Sequence, residues 1–244
     1  MRVISGECKL AKFGRLPAVR PPGLKDLPAY AALPPAPPTN LGPVRLQWET
    51  WGMDGNDQIG DCVLAGVDHH LAIWNDLSTA QVTRPTDAEI RTEYFKLTGG
   101  PDSGLVVSSV LNIWQTQGLF GNQIAAYAPV PLDDPTVLQQ AITNYGSVGI
   151  GIRCPASAQS AAFNPQIWQV DKSSPIVGLH YIVAAGYDHK VVYCASWGYL
   201  WAVTYDFISY YADEMWVAIA PEFVQAGHGP TLDLAALQAD LGGV

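Results

Sequence analysis

With 244 residues, a 48% apolar share and only 14% charged residues, the chain can build a full hydrophobic core and is too weakly charged for disorder. A net charge of −9 argues against nucleic acid as the main partner. No apolar run reaches the roughly 18 residues that a membrane helix needs, so neither a nucleic-acid nor a membrane role is expected.

The charge is unevenly spread. Residues 1–45 hold seven basic and two acidic side chains, and the rest of the chain holds six basic and twenty acidic. Residues 17–43 carry nine prolines, which resist helix and sheet pairing and favour extended polyproline II. This Pro-rich basic arm, 1–47, is expected to lie on its own acidic body. Docking to a protein partner is the alternative. The N-terminus has no continuous apolar stretch of the kind a secretory signal needs.

The body is expected to begin near Trp48. Residues 62–76 place Val63, Leu64, Val67, Leu71 and Trp74 on one helical face, with Asp61 as N-cap and Cys62 at the first helical position. A second helix starts at a capping box formed by Thr86 and Glu89 and stops at Gly99-Gly100. A third spans about 104–117. A fourth is capped by Asp134, with Pro135 at its first position and Gly146 at its end. After Gly146 the pattern changes. SVGIGIR, HYIVAAGY, KVVYCASW, YLWAVTY and EMWVAIA read as strands, and DLAALQADL reads as a short terminal helix. Helices first and strands later predict an α+β fold of two lobes with a cleft between them. The helical lobe is expected at 48–130, the β-rich lobe at 131–226 and a tail at 227–244.

Four cysteines, Cys8, Cys62, Cys154 and Cys194, are too few and too scattered for a disulfide scaffold, and none has zinc spacing. No metal or cofactor is expected. A reducing compartment fits, with a Cys154–Cys194 pair left open. Cys62 stands apart because a thiol at a helix N-terminus is acidified by the positive end of the helix dipole, and the Gly- and Asx-rich GMDGNDQIGDC makes a tight turn into that helix. On its own an isolated cysteine is more often a small buried hydrophobe. His69 and His70 lie about 10–12 Å further down the same helix, out of reach of the thiol, and read as satisfied core or surface histidines. His189 and His228 read as exposed, and Asp133-Asp134 as capping. Gly149 and Gly151 lack the spacing of a nucleotide loop.

Three segments occur in the order of papain-like cysteine peptidases: NDQIGDC followed by a helix, HYIVAAGYD, and VVYCASWGYLWAVTY. The chain resembles that superfamily over roughly 48–222, and resembles in particular the NDxxGDC-type members encoded by phages and bacteria. The resemblance implies Cys62 as nucleophile and His180, opening its strand, as general base and acid. It implies Asn56, six residues before the cysteine, as oxyanion donor, with Gln58 as the rival. Trp197 matches the tryptophan that shields the histidine. Ala195 departs from the pattern: the superfamily has an asparagine there to orient the imidazole, so Ser196 or Asp188 takes that role, or the pair works alone, or the site is inactive. The arm is too short and too proline-rich for the helical inhibitory propeptide of that superfamily.

The expected function is a thiol hydrolase of peptide or isopeptide bonds, acting through a Cys–His pair and an acyl-thioester on a peptide or protein substrate. The alternative is a weak or inactive papain-fold protein used for binding or as a virion or assembly component. A cytoplasmic or virion-associated location is expected.

Overall fold

A computed structural model describes residues 11–42, 44, 51–77, 83–161, 166–225 and 231–242. The expected body start at Trp48, Cys8 and His228 lie outside these residues.

Helix α1, Cys62–Leu77, is buried from Cys62 to Trp74, including Asp68, His69 and His70. A helix buried on every side is the axis of a core, not a surface element with one apolar stripe. Asp61 begins it through its backbone carbonyl, which accepts from the N–H groups of Leu64 and Ala65. Its side chain does not cap the helix as expected: the carboxyl is buried and accepts from no N–H of the first helical turn. Helix α2, Asp87–Thr98, has the expected capping box of Thr86 and Glu89 and ends at Gly99 in the left-handed conformation. Helix α3, Val107–Thr116, starts three residues later than expected. Gly104 takes a φ of +78°, and Leu105 is held in an extended pairing with the arm.

The second half is a six-stranded antiparallel sheet in the order β2-β7-β3-β4-β5-β6. Its strands are β2 (Ala126–Pro129), β3 (Val148–Pro155), β4 (Ile176–Tyr187), β5 (Val191–Ser196), β6 (Tyr199–Thr204) and β7 (Ala212–Ile219). Five of these lie where the sequence puts strands. The sheet also takes in β2, just before the expected start of the β-rich lobe. Strand β4 begins four residues before His180, which therefore sits inside the strand opposite Ile152. Helix α4, Pro135–Tyr145, is capped by the Asp134 side chain as expected and packs on β3, β4 and β7. Short helices α5 (Ala156–Ala161), α6 (Tyr205–Tyr211) and α7 (Pro221–Gln225) were not signalled by any long apolar period.

Helix α1 packs against β4 and β5. Gly66 makes this possible, since a Cβ there would fall 2.5 Å from the Tyr181 ring. The contact brings the N-terminus of α1 against the middle of β4. The arm is fastened at its far end. Strand β1 (Ala31–Ala32) pairs with β8 (Thr231–Leu232), and the Tyr30 hydroxyl donates to Asp240 in α8 (Leu234–Gly242). No helix among the described residues is long and apolar enough to cross a membrane.

Candidate active site

Cys62 is the first residue of α1 and is 1% exposed. Backbone N–H groups of Tyr181, the residue after His180, and of Gly14 in the arm lie near the thiol. These donors favour the thiolate, but burial dominates and pushes the thiol up to about 12. The sequence expectation of an acidified thiol therefore fails in this conformation. A helix terminus contributes about 0.3–1 kcal/mol, less than the 1.36 kcal/mol of one pKa unit, and burial outweighs it.

His180 is equally buried. Its Nε2 lies 2.7 Å from Ser196 Oγ, so serine, not Asp188, is the side chain hydrogen-bonded to the imidazole. Asp188 instead accepts from the N–H groups of Lys190 and Val191 and from the Tyr193 hydroxyl. The other ring nitrogen, Nδ1, is buried with no hydrogen-bond partner among the described residues. Trp197 stacks on the imidazole at 4.1 Å between ring centroids. The indole reaches that position from a two-residue turn in which Trp197 and Gly198 take φ values of +48° and +72°. A left-handed conformation at a bulky residue costs of order 1–3 kcal/mol, and here it seats the ring that covers His180. Burial, with the charges of Arg15 and His69, holds His180 down to about 3. Both members of the expected pair are therefore neutral at pH 7 in this conformation.

Asn56 is buried and its Nδ2 donates to the Ile59 carbonyl, while Gln58 is exposed. His69 is within 3.3 Å of Asp54, and His70 within 2.7 Å of Ser147 Oγ, so both are satisfied core histidines. His189 is exposed. Cys62, Cys154 and Cys194 are free thiols. No cluster of metal-ligating side chains occurs among the described residues.

The cleft between the loop before α1 and the sheet is filled by the arm. Lys12 N–H donates to Asn56 O, Leu16 N–H to Leu105 O, and Leu105 N–H to Gly14 O on the helical side. On the sheet side Arg15 N–H donates to Leu179 O, Trp197 Nε1 to Lys12 O, and Gln159 to Ala11 O. Phe13 sets its ring edge-on to His180 and Trp197. The arm offers the thiol an N–H and no electrophile. In a trans peptide the carbonyl points opposite to the N–H, so the Phe13–Gly14 carbonyl faces away from the sulfur, towards Gly60. The Gly14 carbonyl is engaged by Leu105. The segment that fills the cleft, residues 11–16, precedes the prolines of 17–43 and is extended, not helical.

No protein-family model matches the sequence, and a search of curated proteins finds no relative. Solved structures do match. Xylellain, a cysteine protease from Xylella fastidiosa, superposes with a TM-score of 0.63 at 17% identity, over 87% of this chain and 97% of that one. The cysteine protease and lectin-like domains of Cwp84, a surface layer associated protein of Clostridium difficile, give a TM-score of 0.59 at 12% identity, over 85% of this chain. The match spans 56% of that longer structure.

The chain has the papain-like fold.

Within this papain-like fold, sequence motifs point to Cys62, His180, Ser196 and Trp197; the structure brings His180, Ser196 and Trp197 together and places Cys62 at the start of α1, which packs on the strand that carries His180. It does not bring Gln58 there. What motif reading missed are Phe13, Gly14, Arg15 and Glu214, which close the cleft. The only trace of them in the sequence is the basic balance of the arm against an acidic body.

Proposed function

We propose that the protein is a thiol hydrolase of peptide or isopeptide bonds, held closed by its own N-terminal arm. What carries the reading is His180, oriented on Nε2 by Ser196 and covered by Trp197, with Nδ1 unpartnered on a strand whose next N–H lies near the Cys62 sulfur. With the Nε2 proton donated to Ser196, Nδ1 keeps its lone pair and can take the thiol proton. The thiolate then attacks a substrate carbonyl carbon, forming a C–S bond. The C–N bond breaks as the amine leaves with the imidazolium proton. Water, deprotonated by the same imidazole, releases the acid from the thioester and returns the thiol. The Cys62 backbone N–H, at the helix start, and the Asn56 amide are the groups proposed to receive the oxyanion.

Opening the arm restores water to both groups, lowering the thiol pKa and raising that of the imidazole. The test is hydrolysis of a denatured protein substrate by full-length Arg15→Ala, which removes the arm's buried anchor. Hydrolysis by this variant, and its loss in Cys62→Ala/Arg15→Ala, is the expected result. Hydrolysis that survives Cys62→Ala overturns the reading, as does an open, alkylatable Cys62 that turns over no substrate.

A further inference from the structure

The deepest part of the cleft is a pocket for one side chain. Arg15 fills it with a side chain that is fully buried, and it uses all five N–H donors of its guanidinium. Nη1 donates to Glu214 Oε1 at 2.8 Å and to Leu16 O, and Nη2 to Asp213 Oδ2 at 2.8 Å and to Ile152 O. Nε donates to His180 O at 3.2 Å. Four of these five acceptors belong to the body and not to the arm. Glu214 is itself held in place, since its second oxygen accepts from Trp216 Nε1 at 2.7 Å. The floor is Gly151, where a Cβ would lie 2.5 Å from Glu214 Cγ and 3.0 Å from Arg15 Cδ. Any larger residue at 151 would fill the space that the guanidinium stem occupies.

The pocket adjoins the candidate catalytic groups. One of its acceptors is the carbonyl of His180, and the Gly14 N–H, one residue before its occupant, lies near the Cys62 sulfur. When the arm leaves, two carboxylates and two backbone carbonyls remain open beside the thiol with no cation among them. A pocket with this acceptor set rejects apolar side chains, because the Glu214 carboxylate, its side chain 5% exposed, would be left without a cation, at a greater cost than an apolar contact returns. It also separates arginine from lysine. The acceptors are spread around a planar fork, and an ammonium is a point charge that cannot span them.

We propose that this pocket is the specificity site of the cleft and that it selects an arginine side chain of a peptide bound in trans. Arg15 is the tethered occupant that holds the same place in the closed form. The proposal rests on the hydrolase reading for its consequence but can be tested without turnover.

The binding test uses full-length Cys62→Ala/Arg15→Ala, in which the pocket is vacant and no chemistry is possible. N-acetyl-arginine amide is expected to raise its melting temperature and to bind roughly a hundredfold more tightly than the neutral isostere N-acetyl-citrulline amide. Adding Glu214→Gln is expected to erase the difference. Equal effects of the two amides, or a preference that survives Glu214→Gln, overturn the proposal. If the vacant pocket prevents folding, Cys62→Ala/Arg15→Lys keeps a cation there, and the arginine amide must outcompete the introduced lysine where the citrulline amide does not. The second test scans tetrapeptide substrates with full-length Arg15→Ala. One position is expected to prefer arginine over leucine and lysine, and to lose that preference with Glu214→Gln. Turnover without any such position overturns the proposal. Glu214-dependent binding of the arginine amide without any turnover overturns the hydrolase reading and leaves the pocket standing.

Discussion

A Cβ placed on Gly14 would lie 1.5 Å from the carbonyl oxygen of Gly60, so the arm and the loop before α1 meet backbone to backbone at the thiol. Side-chain rotation cannot relieve such a clash, and one of the two segments has to move. Gly60 is tied to the body through its N–H, which donates to Asp102, so the arm is the segment that yields. Gly14→Ala is therefore expected to lift residues 13–15 and to raise the rate at which iodoacetamide alkylates Cys62. An increase of about tenfold corresponds to 1.4 kcal/mol of lost arm docking. Gly178→Ala tests the same closure from the sheet side, where a Cβ would fall 2.4 Å from Phe13 Cγ. Mass spectrometry of the labelled protein reads both, and unchanged slow alkylation in both would show that the arm does not gate the thiol.

Ser196 is the next point of leverage. Removing its hydroxyl leaves His180 Nε2 buried without an acceptor, which costs about 1–3 kcal/mol and frees the ring to turn. In the Arg15→Ala background Ser196→Ala is expected to lower kcat by roughly ten- to a hundredfold, with a smaller change in KM. Ser196→Thr, which keeps the hydroxyl, is expected to recover most of it. Ala195→Asn, which places there the residue that papain-like peptidases carry, is expected not to help. Ala195 is fully buried, so a larger polar side chain there overpacks the core. Full kcat in Ser196→Ala would remove Ser196 from the orienting role.

The contrast between Ser196 and Arg15 shows what a sequence discloses. The helix that begins at Cys62, the capped starts of α2 and α4, and five strands follow from short-range signals: periodicity, caps and turn residues. His180 and Ser196 could be named because each sits in a run whose order along the chain is distinctive. Which of Ser196 and Asp188 meets the ring depends on which face of the sheet each side chain takes beside β4, and that is a matter of sheet register. Arg15 and Glu214 are 199 residues apart, and neither lies in a motif. Their pairing follows from an extended arm crossing the chain's own cleft. Proline content predicts extended chain over 17–43, and the residues that enter the cleft, 11–16, precede that stretch. The acidified thiol was wrongly expected for the same reason, since helix position is local and burial is not.

Asp61 gives a prediction in which the sign can be worked out. Burial raises its carboxyl from an ordinary 3.8 to about 8, with the Asn56 amide pulling the other way. Between these values the folded protein holds a proton that the unfolded chain has released, so stability falls as pH rises from about 4 to about 8. Asp61→Asn resembles the protonated side chain and carries no such penalty. It is expected to raise the melting temperature at pH 8.5 and to change it little at pH 4.5. Because the Asp61 charge also raises the Cys62 thiol, the same variant should shift the alkylation profile towards lower pH. Equal melting-temperature changes at both pH values would contradict the assignment of this penalty to Asp61.

His70 works in the opposite direction. It is wholly buried against Ser147 and Trp74, and burial, helped by the charge of His69, lowers it to about 3. Below its ordinary value near 6.5 the unfolded chain takes up a proton that the folded protein refuses, so this stability is present at neutral pH and is lost as pH falls from 6.5 towards 3. His180 adds to the same acid limb. His69 opposes both. The Asp54 carboxylate raises it against the effect of burial, so its contribution is present below 6.5 and fades as pH rises through its folded value. His70→Asn keeps a polar atom near Ser147 without a titrating ring. It is expected to cost stability at pH 7 through lost packing, and to flatten the decline below pH 6.5 by on the order of a few kcal/mol. Urea midpoints measured between pH 7 and pH 3.5 read this difference directly. Parallel declines in the variant and the parent would mean that the acid limb belongs to other groups, and His180→Asn would be the variant to compare next.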